Sequence, residues 1–425
     1  MEPAGALVGH IAVPGDKSIS HRAVLLGGLA DGETRVRGFG RSADTQSTID
    51  AMRALGVEIE DEADDELIVH GVGLRGLQPP EEPIDAGNAG TLMRLLTGIL
   101  AGQKGRFELT GDESLRSRPM DRVAEPLTRM GAHVETSNGL PPVVIEGSDT
   151  LKGIEYALPV ASAQVKSAIL LAGLNAGGTT TVIEPAPTRD HTELMLEAAG
   201  ARVRRRPTSV SIEPASRLHL PEVVVPGDFS AAAPFIVAAT LLSGSELTIH
   251  DVGLNPRRIG LLDVLERMGG RISIFNRRKL GGEWIGDVDV RSAELTATDV
   301  GADEVPLLVD ELPLFALAAG SARGNSRLSG AGELRVKESD RIESVTNGLR
   351  TLGVRIRASD DGFEVRGVPA RPTGGRMGSG GDHRIAMLGA VAGTVSREGV
   401  EVGDSEAVAI SFPGFFDLLD SVSRR

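Results

Sequence analysis

Six times along this chain a polar, often glycine-led opening runs into an apolar helix, a glycine turn and a strand. The first three openings lie at Gly15 (GDKSISHRAVLLGGLADGETRVRG), Gly87 (GNAGTLMRLLTGILAGQKGRFELTG) and Ala161 (ASAQVKSAILLAGLNAGGTTTVIEP). The others lie at Gly227 (GDFSAAAPFIVAATLLSGSELTIHD), Asp310 (DELPLFALAAGSARGNSRLSG) and Gly381 (GDHRIAMLGAVAGTVSREGVEVGD). Successive openings are 66 to 83 residues apart, and a period of that length marks repeated supersecondary units. Each of the first five units carries a second helix that runs into a glycine, at Gly56, Gly131, Gly200, Gly269 and Gly353, the usual stop signal. The sixth unit is expected to end the chain inside its second helix, near Phe415–Phe416–Asp417–Leu418–Leu419. A chain of 425 residues is too long for one ordinary core, so six βα-type units suggest two domains of three. The boundary is expected near Pro226–Gly227, after the strand Val223–Val225. An open solenoid is disfavoured, because the units carry unequal insertions and no capping repeat.

Composition removes several function classes. The formal net charge of −14 disfavours nucleic acid or an anionic membrane as partner, while leaving room for small anions held by local charge. Aromatic residues make up 3%, too few for base-stacking surfaces. There is no cysteine, so disulfides, thiolate zinc sites and cysteine nucleophiles are excluded. Met1 to Val13 lacks the charged and apolar regions of a signal peptide, and no apolar run approaches the roughly 18 residues that span a bilayer. A cytoplasmic enzyme is expected.

The helix openings carry chemistry that a structural repeat does not need. Lys17, Ser18 and Arg22 cluster at a helix N-terminus, where unpaired N–H groups and the macrodipole already favour anions. The second unit offers Asn88, Gly90 and Thr91, then Arg116 and Arg118; the third offers Ser162, Gln164 and Lys166, then Arg189–Asp190–His191. The fifth offers Asp310 and Glu311, then the run Arg335 to Arg341, and the sixth offers Asp382–His383–Arg384. Converged, these ends would make a site rich in Arg and Lys with a few carboxylates, suited to a substrate bearing phosphate and carboxylate, with carboxylates left for proton transfer. Each has a plainer alternative: a capped surface helix at Lys17, a solvated helix face at Arg335 to Arg341, a cap with an exposed His at Asp382. Gly71 to Gly76 fits a dinucleotide pattern but runs into Pro79–Pro80 instead of opening a helix. No Walker-type loop or metal-ligand spacing is present, and no metal site is expected.

Taken in order, GDKSISHR, GNAGTLMR, SLRSRPM, ASAQVKSA, TRDHTE, RVKESDR and DHRIAM resemble the enolpyruvyl transferases, in particular the branch that acts on shikimate 3-phosphate. The likeness covers nearly the whole chain, and ASAQVKSAILLAGL and TRDHTE are more similar to the second bacterial class than to the first. The resemblance implies an α/β fold of two lobes, each of three βαβαββ units (an inside-out α/β barrel), hinged and closing over a cleft. It places 1–13 with 227–425 in one lobe and 14–226 in the other. The reaction implied is transfer of the enolpyruvyl group of phosphoenolpyruvate to the 5-hydroxyl of shikimate 3-phosphate, with release of phosphate, on the route to chorismate and the aromatic amino acids. No cofactor is implied, and a monomer is expected.

By the same resemblance Lys17, Ser18, Arg22, Ser162, Ala163, Gln164, Arg189, Asp310 and Lys337 would hold shikimate 3-phosphate. Lys17, Asn88, Gly90, Arg118, Gln164, Arg341 and Arg384 would hold phosphoenolpyruvate. Asp310 would take the proton of the attacking hydroxyl, and Glu338, with Lys17, would handle the proton at the methylene carbon. The family's inhibitor glyphosate would occupy the phosphoenolpyruvate pocket, and Gly90, where some second-class members carry Ala, implies sensitivity to it. Two positions depart from the first class: Glu333 replaces an Asn, and Ile410 replaces a Lys just before Ser411–Phe412–Pro413. The second implies a phosphoenolpyruvate site that either loses one cation or gains it from elsewhere in the chain. The sister family that acts on UDP-N-acetylglucosamine fits less well, since it typically uses a loop cysteine as its acid and follows its Lys with Asn where Ser18 stands. A two-lobed binding protein for a phosphorylated acid would explain the cations but gives Asp310 and Glu338 no role.

Overall fold

The computed structural model describes residues 1–425. The chain divides into two compact units: Met1–Pro14 with Pro226–Lys279 and Trp284–Arg425, and Gly15–Val225 with the hairpin tip Leu280–Glu283. Each has its own hydrophobic core.

The unit spanning Gly15–Val225 is built from three four-stranded sheets of one design. In order across each sheet these are Glu222–Val224, Asp31–Arg37, Glu66–Val72 and Glu58–Ala63; Ile84–Asp85, Arg106–Thr110, Leu140–Glu146 and His133–Ser137; and Glu155–Ala157, Thr180–Ile183, Ser209–Ile212 and Val203–Arg206. The first pair in each is parallel and the rest antiparallel. Parallel neighbours need a crossover, and in the second and third sheets the helices Gly90–Leu100 and Ala163–Gly173 supply it. In the first sheet the parallel strand comes from the far end of the unit, Val223 pairing with Val36. The strand that precedes helix Lys17–Leu29 in the chain, Ala6–Ala12, instead lies parallel to Glu246–Gly253 in the other unit's five-stranded sheet, with Ile11 opposite Ile249.

One helix in every repeat is buried along most of its length: Lys17–Leu29, Gly90–Leu100, Ala163–Gly173, Phe229–Leu241, Leu312–Ser321 and His383–Val395. Past their first turns these helices carry few charges, as helices enclosed on all sides must. Polar chemistry is therefore confined to their ends. Outer helices are amphipathic: Asp121–Met130 buries Val123, Pro126, Leu127 and Met130 and leaves its charges outside. Five of these outer helices stop where the sequence puts glycine, with φ between 87° and 104° at Gly56, Gly131, Gly200, Gly269 and Gly353. The sixth differs from expectation. Helix Phe415–Val422 is complete, and Ser423–Arg424 continue as a short strand antiparallel to Ala6–Leu7. No helix is long and apolar enough to cross a membrane.

Candidate active site

In the Gly15–Val225 unit the first opening is fixed by backbone packing. A Cβ on Gly15 would lie 1.8 Å from the carbonyl oxygen of Gly38, and one on Gly40 would lie 2.1 Å from that of Gly15. Only glycine allows the two loops to touch, and Gly40 N–H also donates to Ser20 Oγ at 3.0 Å. Asp16 caps the helix by accepting from Ile19 N at 2.9 Å. Lys17 then stands half-buried with its ammonium 2.7 Å from Asp44 Oδ2, so the loop carries a paired cation. Behind it His21 is buried, and burial first, then the charges of Lys17 and Arg22, push its pKa well down. Its imidazole is therefore neutral at pH 7 and adds no charge to the seat.

Arg22 is buried and held in place from three sides. Its guanidinium donates to Ser18 O at 2.8 Å, to Thr192 Oγ1 at 2.7 Å and to Ser167 Oγ at 3.1 Å. Burial lowers its pKa to about 10, with the carboxylate of Glu193 opposing that shift. The group stays charged at pH 7. Ser162 caps its helix through Val165 N at 3.4 Å, Ala163 opens the first turn, and Arg189 stands half-buried in the loop before helix His191–Ala198.

A second cluster gathers around Gly90. Arg118 donates to Asn88 Oδ1 at 2.6 Å and to Ser114 Oγ at 3.1 Å, and Asn88 in turn donates to Asp112 at 2.7 Å. Gln164 accepts from Arg94 at 2.6 Å and donates to Thr91 Oγ1 at 2.9 Å. A Cβ on Gly90 would sit 3.1 Å from Arg94 Nη1 and 3.2 Å from Arg118 Nη1, so both guanidiniums flank the bare Cα. Arg94 is absent from the sequence-based residue set although it ends the quoted GNAGTLMR stretch. Its spacing four residues after Gly90 was the available signal.

In the other unit Arg341 is the centre. It is 1% exposed and opens helix Arg341–Thr351, while the preceding charged run forms a 3-10 turn, Gly332–Val336, and a cap at Asp340. The run is a helix entry and not a solvated face. Arg341 donates to Asp382 Oδ2 at 2.8 Å, Glu338 Oε2 at 2.6 Å and Asp310 Oδ1 at 3.3 Å. Burial opposes its charge, but Asp382, Glu338 and Asp310 more than offset this and hold its pKa above the ordinary arginine value. Asp382 is itself buried, and despite that burial Arg341 holds its carboxyl below the usual range. It also caps helix His383–Val395 through Arg384 N at 2.9 Å. His383 is buried, contrary to the exposed His of the plainer alternative.

Asp310 lies just outside helix Leu312–Ser321, whose N-cap position is Glu311, so it is not the cap. Its carboxylate has Arg341 at 3.3 Å, Arg258 at 3.7 Å and Arg384 at 3.9 Å. Lys337 and Glu338 are half-buried in the segment between the 3-10 turn and Asp340. Arg258 is a second residue the sequence did not single out. It donates to Asp228 Oδ1 and Ser230 Oγ, each at 2.9 Å, and Ser230 donates to Glu311. Ile410 ends a 3-10 turn as an uncharged, half-buried side chain. Lys166, placed by its sequence position among the outward cations, is fully buried against carboxylates.

Each unit thus presents, at the openings of its buried helices, arginines oriented by hydrogen bonds, and Asp310, Glu338 and Asp382 are set against Arg341. The family model described as EPSP synthase (3-phosphoshikimate 1-carboxyvinyltransferase) matches residues 1–419. A curated 3-phosphoshikimate 1-carboxyvinyltransferase from Alkalilimnicola ehrlichii is 51% identical over 98% of this chain and 94% of its own length. One of the same name from Halorhodospira halophila is 52% identical over the same shares. Among solved structures, an EPSP synthase from Acinetobacter baumannii has a TM-score of 0.89 at 43% identity, covering 100% of this chain and 97% of that one. An enolpyruvyl transferase from Streptomyces tendae, 20% identical, shares the fold with a TM-score of 0.79. On its matched length, its repeats and its site chemistry, the chain belongs to the EPSP synthase family, the 3-phosphoshikimate 1-carboxyvinyltransferases.

Proposed function

We propose that the chain transfers the enolpyruvyl group of phosphoenolpyruvate to the 5-hydroxyl of shikimate 3-phosphate, without a cofactor. The observation that carries this reading is Asp310, a carboxylate outside any cap role with three guanidiniums within 4 Å. Asp310 takes the hydroxyl proton as the oxygen attacks the enol carbon of phosphoenolpyruvate, while Glu338, with Lys17, delivers a proton to the methylene carbon. That proton is removed again as the C–O bond to phosphate breaks, so the tetrahedral intermediate yields product and inorganic phosphate. Lys17, Ser18, Arg22, Ser162, Ala163, Gln164, Arg189, Asp310 and Lys337 hold shikimate 3-phosphate. Lys17, Asn88, Gly90, Arg118, Gln164, Arg341 and Arg384 hold phosphoenolpyruvate, and Arg94 adds a guanidinium beside Gly90. Preorganised arginines stabilise the charge that develops on the departing phosphate. The net charge of −14 disfavours nucleic acid and an anionic membrane as partners and leaves small anions to be held by local charge. The chain works as a cytoplasmic monomer. Phosphate release is expected only with phosphoenolpyruvate and shikimate 3-phosphate together; release with UDP-N-acetylglucosamine instead, or none with either, would reject the assignment.

Gly90 gives a sharper test. Its backbone is helical, so alanine is tolerated by the fold, and the added methyl meets the guanidinium ends of Arg94 and Arg118 at 3.1 and 3.2 Å and Leu115 Cδ1 at 3.7 Å. Overpacking of this kind costs typically 1–3 kcal/mol. It falls on the longer ligand, so Gly90→Ala is expected to raise the glyphosate inhibition constant about tenfold or more relative to any rise in KM for phosphoenolpyruvate. The native protein is expected to be glyphosate-sensitive. Equal rises in both constants, or native resistance, would move the gate away from Gly90.

A further inference from the structure

Lys166 has no exposed surface, yet it lies in the second turn of the buried helix Ala163–Gly173, one residue before Ser167. Its ammonium is 3.0 Å from Glu184 Oε1 and 2.7 Å from Glu193 Oε1, and both carboxylates are buried too. At these distances the ammonium attracts both carboxyls, and Lys166 favours the charged form of Glu193 by charge and by hydrogen bonding. Glu184 follows strand Thr180–Ile183 and accepts from both the amide (3.2 Å) and the hydroxyl of Thr188, the residue before Arg189. Glu193 sits in the first turn of helix His191–Ala198, beside Thr192, whose hydroxyl takes Arg22 Nε. Ser167 takes Arg22 Nη2 and shares a 2.7 Å hydrogen bond with Thr192.

The cluster holds two carboxyls and one ammonium, and Arg22, bonded to Thr192 beside Glu193, brings a second cation to it. Burial pushes the Glu193 carboxyl up, with Lys166 resisting that shift, and Glu193 in turn favours the charged form of Arg22. A buried ion pair contributes little to stability compared with apolar residues of the same volume. What this one does is tie three backbone segments to one point.

We propose that Lys166, Glu184 and Glu193 form a buried ionic brace that positions Arg22 and Arg189, which makes Lys166 a positioning residue for the phosphate of shikimate 3-phosphate. This rests on the reading above that Arg22 and Arg189 hold that substrate. The brace also accounts for the joint presence of the ASAQVKSA and TRDHTE stretches, since the Lys of one meets the Glu of the other.

The test is calorimetric affinity for shikimate 3-phosphate together with steady-state kinetics on the full chain. Removing the partners that orient metal ligands typically costs 10–100-fold in affinity, and by analogy Lys166→Met is expected to weaken shikimate 3-phosphate by about that factor. KM for phosphoenolpyruvate and kcat should each move by less than about threefold, because neither arginine is assigned to that substrate. Glu193→Gln should weaken binding similarly, and the double variant should be no worse than either single one, since both break the same brace. Should Lys166→Met fail to fold, Thr188→Val removes only the hydroxyl link to the turn before Arg189 and should show the same selectivity at a smaller size. Unchanged affinity, or equal weakening of both substrates, overturns the brace. Arg22→Gln is the separate control: if it binds shikimate 3-phosphate normally, the site assignment itself fails, whatever Lys166 does.

Discussion

Asp310→Asn is expected to lower kcat by roughly 10²–10⁴-fold, the usual range for a positioned general base, while shikimate 3-phosphate still binds within a few-fold of the native affinity. The amide has nearly the size of the carboxylate and still accepts a hydrogen bond from the substrate hydroxyl, but it cannot take the proton. The structure adds a complication. Asp310 is also one of the carboxylates around Arg341, at 3.3 Å, so the substitution removes a counter-ion as well as a base. The two roles separate by measurement. Loss of the base lowers kcat at unchanged melting temperature, because Asp382 and Glu338 still neutralise Arg341. Loss of the counter-ion alone would lower the melting temperature and leave kcat intact, and that result would reduce Asp310 to a structural partner.

Much of this arrangement is legible in the amino-acid order because repeats, apolar helices and glycine stops are local signals. The five stop glycines illustrate this: each needs only its own left-handed turn. Partners distant in sequence are not legible in the same way. Lys166 has the same chemistry as Lys17 and stands at a similar helix opening, yet Lys17 is half-buried and Lys166 is enclosed by Glu184 and Glu193. Nothing near Lys166 in the chain marks it as enclosed, because its partners lie 18 and 27 residues onward and only the fold brings them in. Arg258 is similar: its partners Asp228 and Asp310 come from different repeats. The final strand was hidden for a different reason, since Ser423–Arg424 is too short for a periodic pattern and is defined by pairing with Ala6–Leu7. Local signals located the helix ends, then, while the pairing that sets each ion's charge and direction required tertiary structure.

Arg341→Met should destabilise its unit by about 3–5 kcal/mol at pH 7, because removing one partner leaves buried Asp382 with an uncompensated charge. For a unit of this size that corresponds to a drop in melting temperature on the order of 10 °C. The sign of the pH dependence distinguishes this cause from simple loss of packing. In the native protein Arg341 holds the Asp382 carboxyl below its unfolded value of about 3.9. A depressed carboxyl contributes stability above the unfolded pKa and loses it as pH falls through the folded one, so the native protein should weaken below about pH 4. Without Arg341 the same carboxyl is buried with its main counter-ion gone, and desolvation raises it instead. The variant then gains stability as pH falls from 7 toward 4, while the native protein changes little at this position. The gap between the two melting curves should therefore be widest near pH 7 and narrow toward pH 4. Adding Asp382→Asn to the variant should recover part of the loss at pH 7 and flatten its pH dependence. A gap that stays constant across the range would mean that Arg341 acts by filling space, and that its charge is of no account to the fold.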